Sequence, residues 1–270
     1  MPSFNAKKKF GQNFLIDYKV LANIIDSAEL SSNDIVVEIG PGKGFLTKAI
    51  LDRVKKVTSI EIDSSLNEVL ISKFKCYKNF EIVYGDARDI DMEFLNNSIN
   101  YKMIANLPYY AALPIIRRFL VAKNKPSIMI VMLQKEVAIS MVASPGSYSL
   151  LSVATQIFCK PKIISYVSPN SFKPKPKVTS ALVELIPYKY PLINLGDEKD
   201  FFDFLKKSFS SPRKQLKNSI ENGLKISSDS SLEILSKSNI LHTRRAQTLT
   251  IDEWQILYKQ WCVFRKNGFV

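Results

Sequence analysis

Along the first two thirds of the chain, short apolar runs alternate with stretches whose apolar residues recur at helical spacing. The runs are Ile35–Ile39, Val57–Ile62, Phe80–Tyr84, Tyr101–Ala105 and Ser127–Leu133. The helical stretches are Gly44–Val54, Ser64–Phe74, Leu113–Ala122 and Gln134–Ala143. Alternation of this kind predicts an α/β fold, a mainly parallel sheet with helices on both faces. An earlier helix is predicted over Val20–Ala28, with Val20, Leu21, Ile24, Ile25 and Ala28 on one face. Ile163–Val167 and Ala181–Ile186 then follow each other without a helix between them, so an antiparallel strand is expected to close the sheet.

The texture changes after Pro187-Tyr188-Lys189-Tyr190-Pro191. From about Leu195 only helical patterns remain. Phe201, Leu205 and Phe209 share a stripe, and Leu216, Ile220 and Leu224 form a second. Between these stripes, Ser211-Pro212 reads as a helix start with proline in its first turn. Thr250-Ile251-Asp252-Glu253 is a capping box ahead of Trp254, Leu257, Tyr258 and Trp261. Two domains are expected: residues 1–190, carrying the sheet, and a small all-helical domain over 195–270. The chain has no internal repeat.

Composition narrows the class of partner. The 270 residues are 46% hydrophobic and 23% charged, enough apolar matter for a real core. Lys and Arg number 38 against 25 Asp and Glu, a net charge of +13, which favours a polyanion. No apolar stretch approaches the roughly 20 residues of a membrane span, and no signal peptide opens the chain, so a cytoplasmic protein is expected. Cys76, Cys159 and Cys262 are scattered and His242 is the sole histidine. Neither a disulfide framework nor a metal site is expected from them.

Two motifs carry chemistry. Glu38-Ile39-Gly40-Pro41-Gly42-Lys43-Gly44 lies between a strand and a helix, the outline of a nucleotide-cofactor loop. A dinucleotide fingerprint wants glycine at position 45, where Phe45 would obstruct a pyrophosphate. A phosphate-free ligand fits better, and S-adenosylmethionine is one, with Gly40 and Gly42 beside it. Glu61, ending the second strand, can accept both ribose hydroxyls, and Asp86, ending the third, can accept an adenine amine. Asp63 and Asp89 read as exposed loop carboxylates. Asn106-Leu107-Pro108-Tyr109 ends the fourth strand. There, the amide oxygen of Asn106 and the Leu107 carbonyl can accept from an exocyclic amine. Pro108 bends the turn, and the Tyr109 ring covers a base.

Together with Phe10-Gly11-Gln12-Asn13-Phe14-Leu15, Gln134-Lys135-Glu136-Val137-Ala138, Phe172-x-Pro174-x-Pro176-x-Val178-x-Ser180 and Arg245-Ala246, these motifs resemble one family over nearly the whole chain. It is the ribosomal RNA small-subunit adenine dimethyltransferases. The resemblance implies a Rossmann-like class I S-adenosylmethionine-dependent methyltransferase sheet. It implies cofactor contacts at Asn13, Leu15, Gly40, Glu61, Asp86 and Asn106. It also implies N6,N6-dimethylation of two adjacent adenosines in the 3′-terminal hairpin of small-subunit rRNA, within the immature 30S particle; separately from the resemblance, a monomer is expected. Three departures stand out: Tyr110 where the family usually has Asn, Pro212 where Arg is common, and Gln247 where Glu is common.

Tyr109 and Phe172 are the expected walls around a flipped-out base. Basic residues expected on RNA phosphates are Lys173, Lys175 and Lys177 in the proline loop, Arg213, Lys214, Arg244 and Arg245. Lys7-Lys8-Lys9, Lys206-Lys207, Lys217 and Arg117-Arg118 extend the basic pattern. Two other readings remain: an Erm-type methylase of large-subunit rRNA, and a ribosome-assembly or transcription factor that keeps the fold without the activity.

Overall fold

The computed structural model describes residues 11–92, 95, 100–194 and 196–267. Lys7–Lys9, Phe10 and Leu195 lie outside the described residues. Contacts divide the chain into two compact units, one running to Ala138 and resuming over Lys160–Pro187, the other comprising Ile139–Cys159 and the chain from Tyr188. Residues 139–159, which the sequence pattern assigns to the first part, thus share their contacts with the second.

In chain order the first part contains β1 (Phe14–Leu15), α1 (Tyr18–Ser27), β2 (Ile35–Ile39), α2 (Phe45–Leu51), β3 (Lys56–Glu61), α3 (Ser64–Phe74), β4 (Phe80–Tyr84), β5 (Tyr101–Asn106), α4 (Ala112–Val121) and β6 (Met129–Gln134). Then come α5 (Lys135–Met141), α6 (Leu150–Gln156), β7 (Cys159–Val167), β8 (Phe172–Lys173) and β9 (Ser180–Pro187). Seven strands form one sheet in the order β4-β3-β2-β5-β6-β9-β7. The pairs β2·β3, β2·β5, β3·β4 and β5·β6 are parallel, and β9 runs antiparallel to β6. Val36 and Val37, neighbours on opposite faces of β2, are both fully buried, as a parallel strand covered on two sides requires. Helices α1, α2 and α3 pack their apolar stripes against Val36, Val57, Ile104 and Ile130. The predicted strands and helices are therefore all present, with ends displaced by a few residues.

Three of these elements were not anticipated. Strands β1 and β8 are two residues each and pair antiparallel, Phe14 with Lys173 and Leu15 with Phe172. Two residues are too few to show a period, so only their long-range pairing defines them. Helix α6 is a short segment closed at its start by reciprocal hydrogen bonds between Ser149 and Ser152.

The second unit holds α6 with α7 (Glu198–Ser208), α8 (Leu216–Leu224), α9 (Ser228–Lys237) and α10 (Ile251–Lys266). Its core is aromatic: Phe201 and Phe204 meet Tyr258, and Trp254 stacks on Phe209. Asp200 joins α7 to α10 by accepting from Tyr258 and Arg265. The predicted helix start at Pro212 is corrected. Lys214 N–H donates to the Ser211 carbonyl, making a turn with proline at its second position, and α8 begins only at Leu216. Proline's fixed φ suits a turn as well as a first helical turn, and local sequence does not separate them.

The capping box at α10 is formed as expected: Thr250 Oγ1 accepts from Glu253 N–H, and Glu253 accepts from Thr250 N–H. Thr250→Ala should lower unfolding free energy by about 1 kcal/mol, the usual value of such a cap, measured by urea titration. An unchanged midpoint would show that packing alone holds the start of α10.

Candidate active site

The parallel register sets the site. Ile39 of β2 lies opposite Ile60 of β3 and Ala105 of β5, and Glu61 lies opposite Tyr84 of β4. The four strands consequently end side by side, and the residues just beyond them face one cleft. It is lined by Gly40 and Gly42, Glu61, Asp86, Asn106 to Tyr109, Asn13 and Phe172, and encloses about 820 Å³ including its open mouth. Every predicted catalytic residue and all but one of the predicted cofactor contacts thus meet in one place. The exception, Leu15, is buried in β1 and borders the adjoining hollow beside Gly40 and Asn106.

Backbone geometry explains the glycine loop. Gly40, Gly42 and Gly44 all have positive φ, at 70°, 56° and 73°. At Gly42 there is no room either: an added Cβ would lie 2.9 Å from the Phe14 ring. Gly42 N–H points at Glu61 and donates to its carboxylate at 3.3 Å, while Asp63 N–H donates to the other oxygen at 2.9 Å. Burial raises the Glu61 carboxyl above its usual range, opposed by these two backbone N–H groups. The result is a desolvated acceptor held still at the strand end. Asp63, expected in solvent, is instead buried, where it caps α3 and accepts from Gln12.

Glu38, one strand inward, lies beneath the loop and does not line the cleft. Thr47 and Ser59 hydroxyls both donate to one of its oxygens at 2.8 Å, and the other oxygen has no hydrogen-bond partner. Burial pushes its carboxyl up to about 7 against those two hydrogen bonds, and the nearby Glu61 charge adds to the rise.

Asp86 departs from the simple expectation of an open acceptor. Arg88 grips both its oxygens, Nε donating to Oδ1 and Oδ2 at 3.0 Å and Nη2 to Oδ2 at 2.5 Å, and this hydrogen bonding holds the carboxyl below its usual range. The Arg88 guanidinium also sits 5.8 Å from the centre of the Tyr110 ring. Arg118, part of the expected basic footprint, turns to the Arg88 and Ile90 carbonyls and braces this loop from α4. Arg88 was missed by sequence reasoning; its spacing of two residues from Asp86 was the available signal.

Asn106 is oriented from a distance. Its Nδ2 donates to the Asn13 carbonyl at 3.0 Å, which leaves Oδ1 as the acceptor of that amide. The Tyr109 hydroxyl lies 2.8 Å from Ser180 Oγ. Phe172, expected as a ring carried on a stiff basic loop, is instead buried in β8 beside Leu15, and is among the residues that line the cleft. The loop lysines Lys173, Lys175 and Lys177 are exposed.

In the helical unit, Arg213, Lys214 and Arg245 are exposed. Leu216 N–H donates to the Arg244 carbonyl at 2.6 Å, which draws the 211–214 turn beside residues 244 and 245. Arg244 itself is engaged: its guanidinium pairs with Glu253 and the Thr248 carbonyl, so it secures the entry to α10. Among the described residues no group of three or more His, Cys, Asp or Glu could hold a metal ion.

The sequence that builds this cleft, with its glycine loop, Glu61 and Asn-Leu-Pro-Tyr turn, matches a family profile, Ribosomal RNA adenine dimethylase, over residues 3–258. The chain belongs to the ribosomal RNA adenine dimethylases. Among similar members, "Ribosomal RNA small subunit methyltransferase A" of Clostridium botulinum is 43% identical over 254 residues, 93% of this chain and 92% of that one. The protein of the same name in Dehalococcoides mccartyi is 39% identical over 256 residues, 94% of this chain and 88% of that one. Among solved structures, a dimethyladenosine transferase of Plasmodium falciparum superposes with a TM-score of 0.78 at 28% identity, covering 95% of this chain and 98% of that one. The 23S rRNA methyltransferase ErmE superposes at 0.70 with 26% identity, covering 92% and 99%. The α/β methyltransferase fold with C-terminal helices is therefore that of this family.

The Glu38 carboxyl titrates higher in the folded chain than in the unfolded one, so its contribution to stability is present at low pH and is lost as pH rises from about 4.5 to about 7. Urea titrations of wild type and Glu38→Gln across this window should diverge in favour of the variant, by up to about 3 kcal/mol, and run parallel above it. A difference independent of pH would contradict the buried titration.

Proposed function

We propose that this chain dimethylates the N6 amines of two adjacent adenosines in the 3′-terminal hairpin of small-subunit rRNA, using S-adenosylmethionine, on the immature subunit. The observation that carries the reading is Asn106 in the cleft lining with Tyr109 and Phe172, its Nδ2 engaged by the Asn13 carbonyl so that Oδ1 is left as the acceptor of the amide. The greater similarity to small-subunit enzymes than to ErmE favours small-subunit over large-subunit RNA.

The residues fit the cofactor. Glu61, buried and desolvated, suits a pair of ribose hydroxyls. Gly40 and Gly42 let the backbone approach its tail, and Asn13 and Leu15 border the same end. Asp86 shares its carboxylate between Arg88 and an adenine amine. When bound, S-adenosylmethionine supplies an electrophilic methyl on a sulfonium, so little acid–base assistance is needed.

An adenine amine is a weak nucleophile because its lone pair is delocalised into the ring. Acceptance of its two N–H bonds by Asn106 Oδ1 and the Leu107 carbonyl favours a pyramidal nitrogen with its lone pair free. Pro108 keeps the turn from continuing as strand. Tyr109 and Phe172 hold the flipped base, at roughly 1–3 kcal/mol per stacked ring, and alignment supplies most of the acceleration. Lys173, Lys175, Lys177, Arg213, Lys214 and Arg245 serve RNA phosphates in a salt-dependent way; the ion pair of Arg244 gives it a supporting part there.

The test is transfer of radiolabelled methyl to small subunits lacking the modification, with the product mapped. Label on adjacent adenosines of the terminal hairpin is expected. Label confined to large-subunit RNA would favour an Erm-type activity, and binding without transfer would favour an assembly factor. In the same assay Asn106→Ala should lower kcat by on the order of 10²–10³-fold, the scale of a lost transition-state hydrogen bond, with cofactor affinity nearly unchanged. Glu61→Gln should weaken cofactor binding itself, by roughly 10–100-fold in calorimetry. Unaltered affinity would rule out the ribose role.

A further inference from the structure

Tyr109 and Phe172 arrive at the cleft from separate parts of the chain, and the distance between them must suit the thickness of one base. A single segment governs both. Phe172 opens it, in β8, where Leu15 of β1 pairs with it. Ser180 closes it as the first residue of β9, opposite Gln134 of β6. Ser180 is fully buried, and its Oγ lies 2.8 Å from the Tyr109 hydroxyl, 71 positions away in sequence. Pro174 and Pro176 stiffen the chain between the two ends.

A tyrosine ring on a surface turn would ordinarily sample several rotamers. Here the far end of the ring is tied to a strand whose backbone is hydrogen-bonded into the sheet. Movement of Tyr109 away from the base position breaks a hydrogen bond that leaves a buried serine hydroxyl without a partner, which is costly.

We propose that Ser180 is a positioning residue for methyl transfer: through its hydroxyl it fixes the Tyr109 ring opposite Phe172, so that one segment of chain sets the width of the base slot. Ser180 touches neither base nor cofactor. The proposal rests on the functional reading above, in that the slot receives a base.

Steady-state transfer with the intact protein tests it, comparing Ser180→Ala, Tyr109→Phe and the double variant. Tyr109→Phe keeps the ring and removes the hydroxyl. Each single change should lower kcat roughly tenfold, the scale of one lost buried hydrogen bond, and the double should lower it no further. Ser180→Thr, which restores a hydroxyl, should recover most of the rate, and cofactor affinity should be equal throughout. Wild-type rates for Ser180→Ala, or single losses that multiply in the double variant, would overturn the proposal. So would loss of cofactor affinity and melting temperature in Ser180→Ala with Tyr109→Phe fully active, which would make the serine a core filler. A second readout needs no substrate. In protein labelled with fluorotyrosine, the ¹⁹F line of Tyr109, assigned from its absence in Tyr109→Phe, should move and average in Ser180→Ala. An unmoved line overturns the role of Ser180, whereas failure of wild type to methylate the hairpin sinks the functional reading instead.

Discussion

Parallel pairing of β2 with β3 on one side and β5 on the other is the constraint on which the site depends. In a parallel ladder the strands share one direction, so their carboxyl ends gather at one edge. The loop at Gly40–Gly44, Glu61, Asp86 and Asn106 follow four strands that lie in the order β4-β3-β2-β5. A residue slip in either pairing would send Glu61 or Asn106 to the opposite face, since side chains alternate along a strand. The core of Val36, Val57, Ile104 and Ile130 prevents that slip, because the same shift would expose apolar side chains that are buried.

Around this edge, hydrogen bonds between separate segments of the chain hold the strand ends in place. Gly42 N–H to Glu61 ties the glycine loop to the neighbouring strand, and Asn106 to Asn13 ties the side-chain amide at the end of β5 to the chain before β1. Both bonds use a backbone group as one partner, so what they fix is set by the path of the chain as much as by residue type. Desolvation matters in the same region. Glu38 and Glu61 are both buried carboxyls with raised titration, and each is compensated by donors from the segments it connects. The exposed lysines of the proline loop put positive charge on the surface.

Much of this was legible beforehand, for definable reasons. Strands show as short, mainly apolar runs, so Ile35–Ile39 and Phe80–Tyr84, each with a single glutamate, could be bounded from the sequence, although β4 at the sheet edge is only part-buried. Site residues at strand ends follow the runs directly, which is why Glu61, Asp86 and Asn106 could be named together. Arg88 was overlooked because a cation beside an expected ligand carboxylate looks, in a list of residues, like one more surface charge. The turn at Pro212 and the ion pair of Arg244 were misjudged for a related reason: local identity does not tell which of several permitted structures the neighbours will select.

The linear chain by itself determined the strand and helix types, the order of the motifs and the class of chemistry, because these follow from periodicity, φ preferences and the donors and acceptors each residue carries. Tertiary structure alone decided that β1 pairs with β8, that Arg88 holds Asp86, that Asn13 orients Asn106 and that Ser180 meets Tyr109. Apart from the pairing of Arg88 with Asp86, these contacts join residues far apart along the chain. Pairings of that kind exist only once the sheet has closed, when burial makes each unmatched polar group costly and leaves one arrangement that satisfies them.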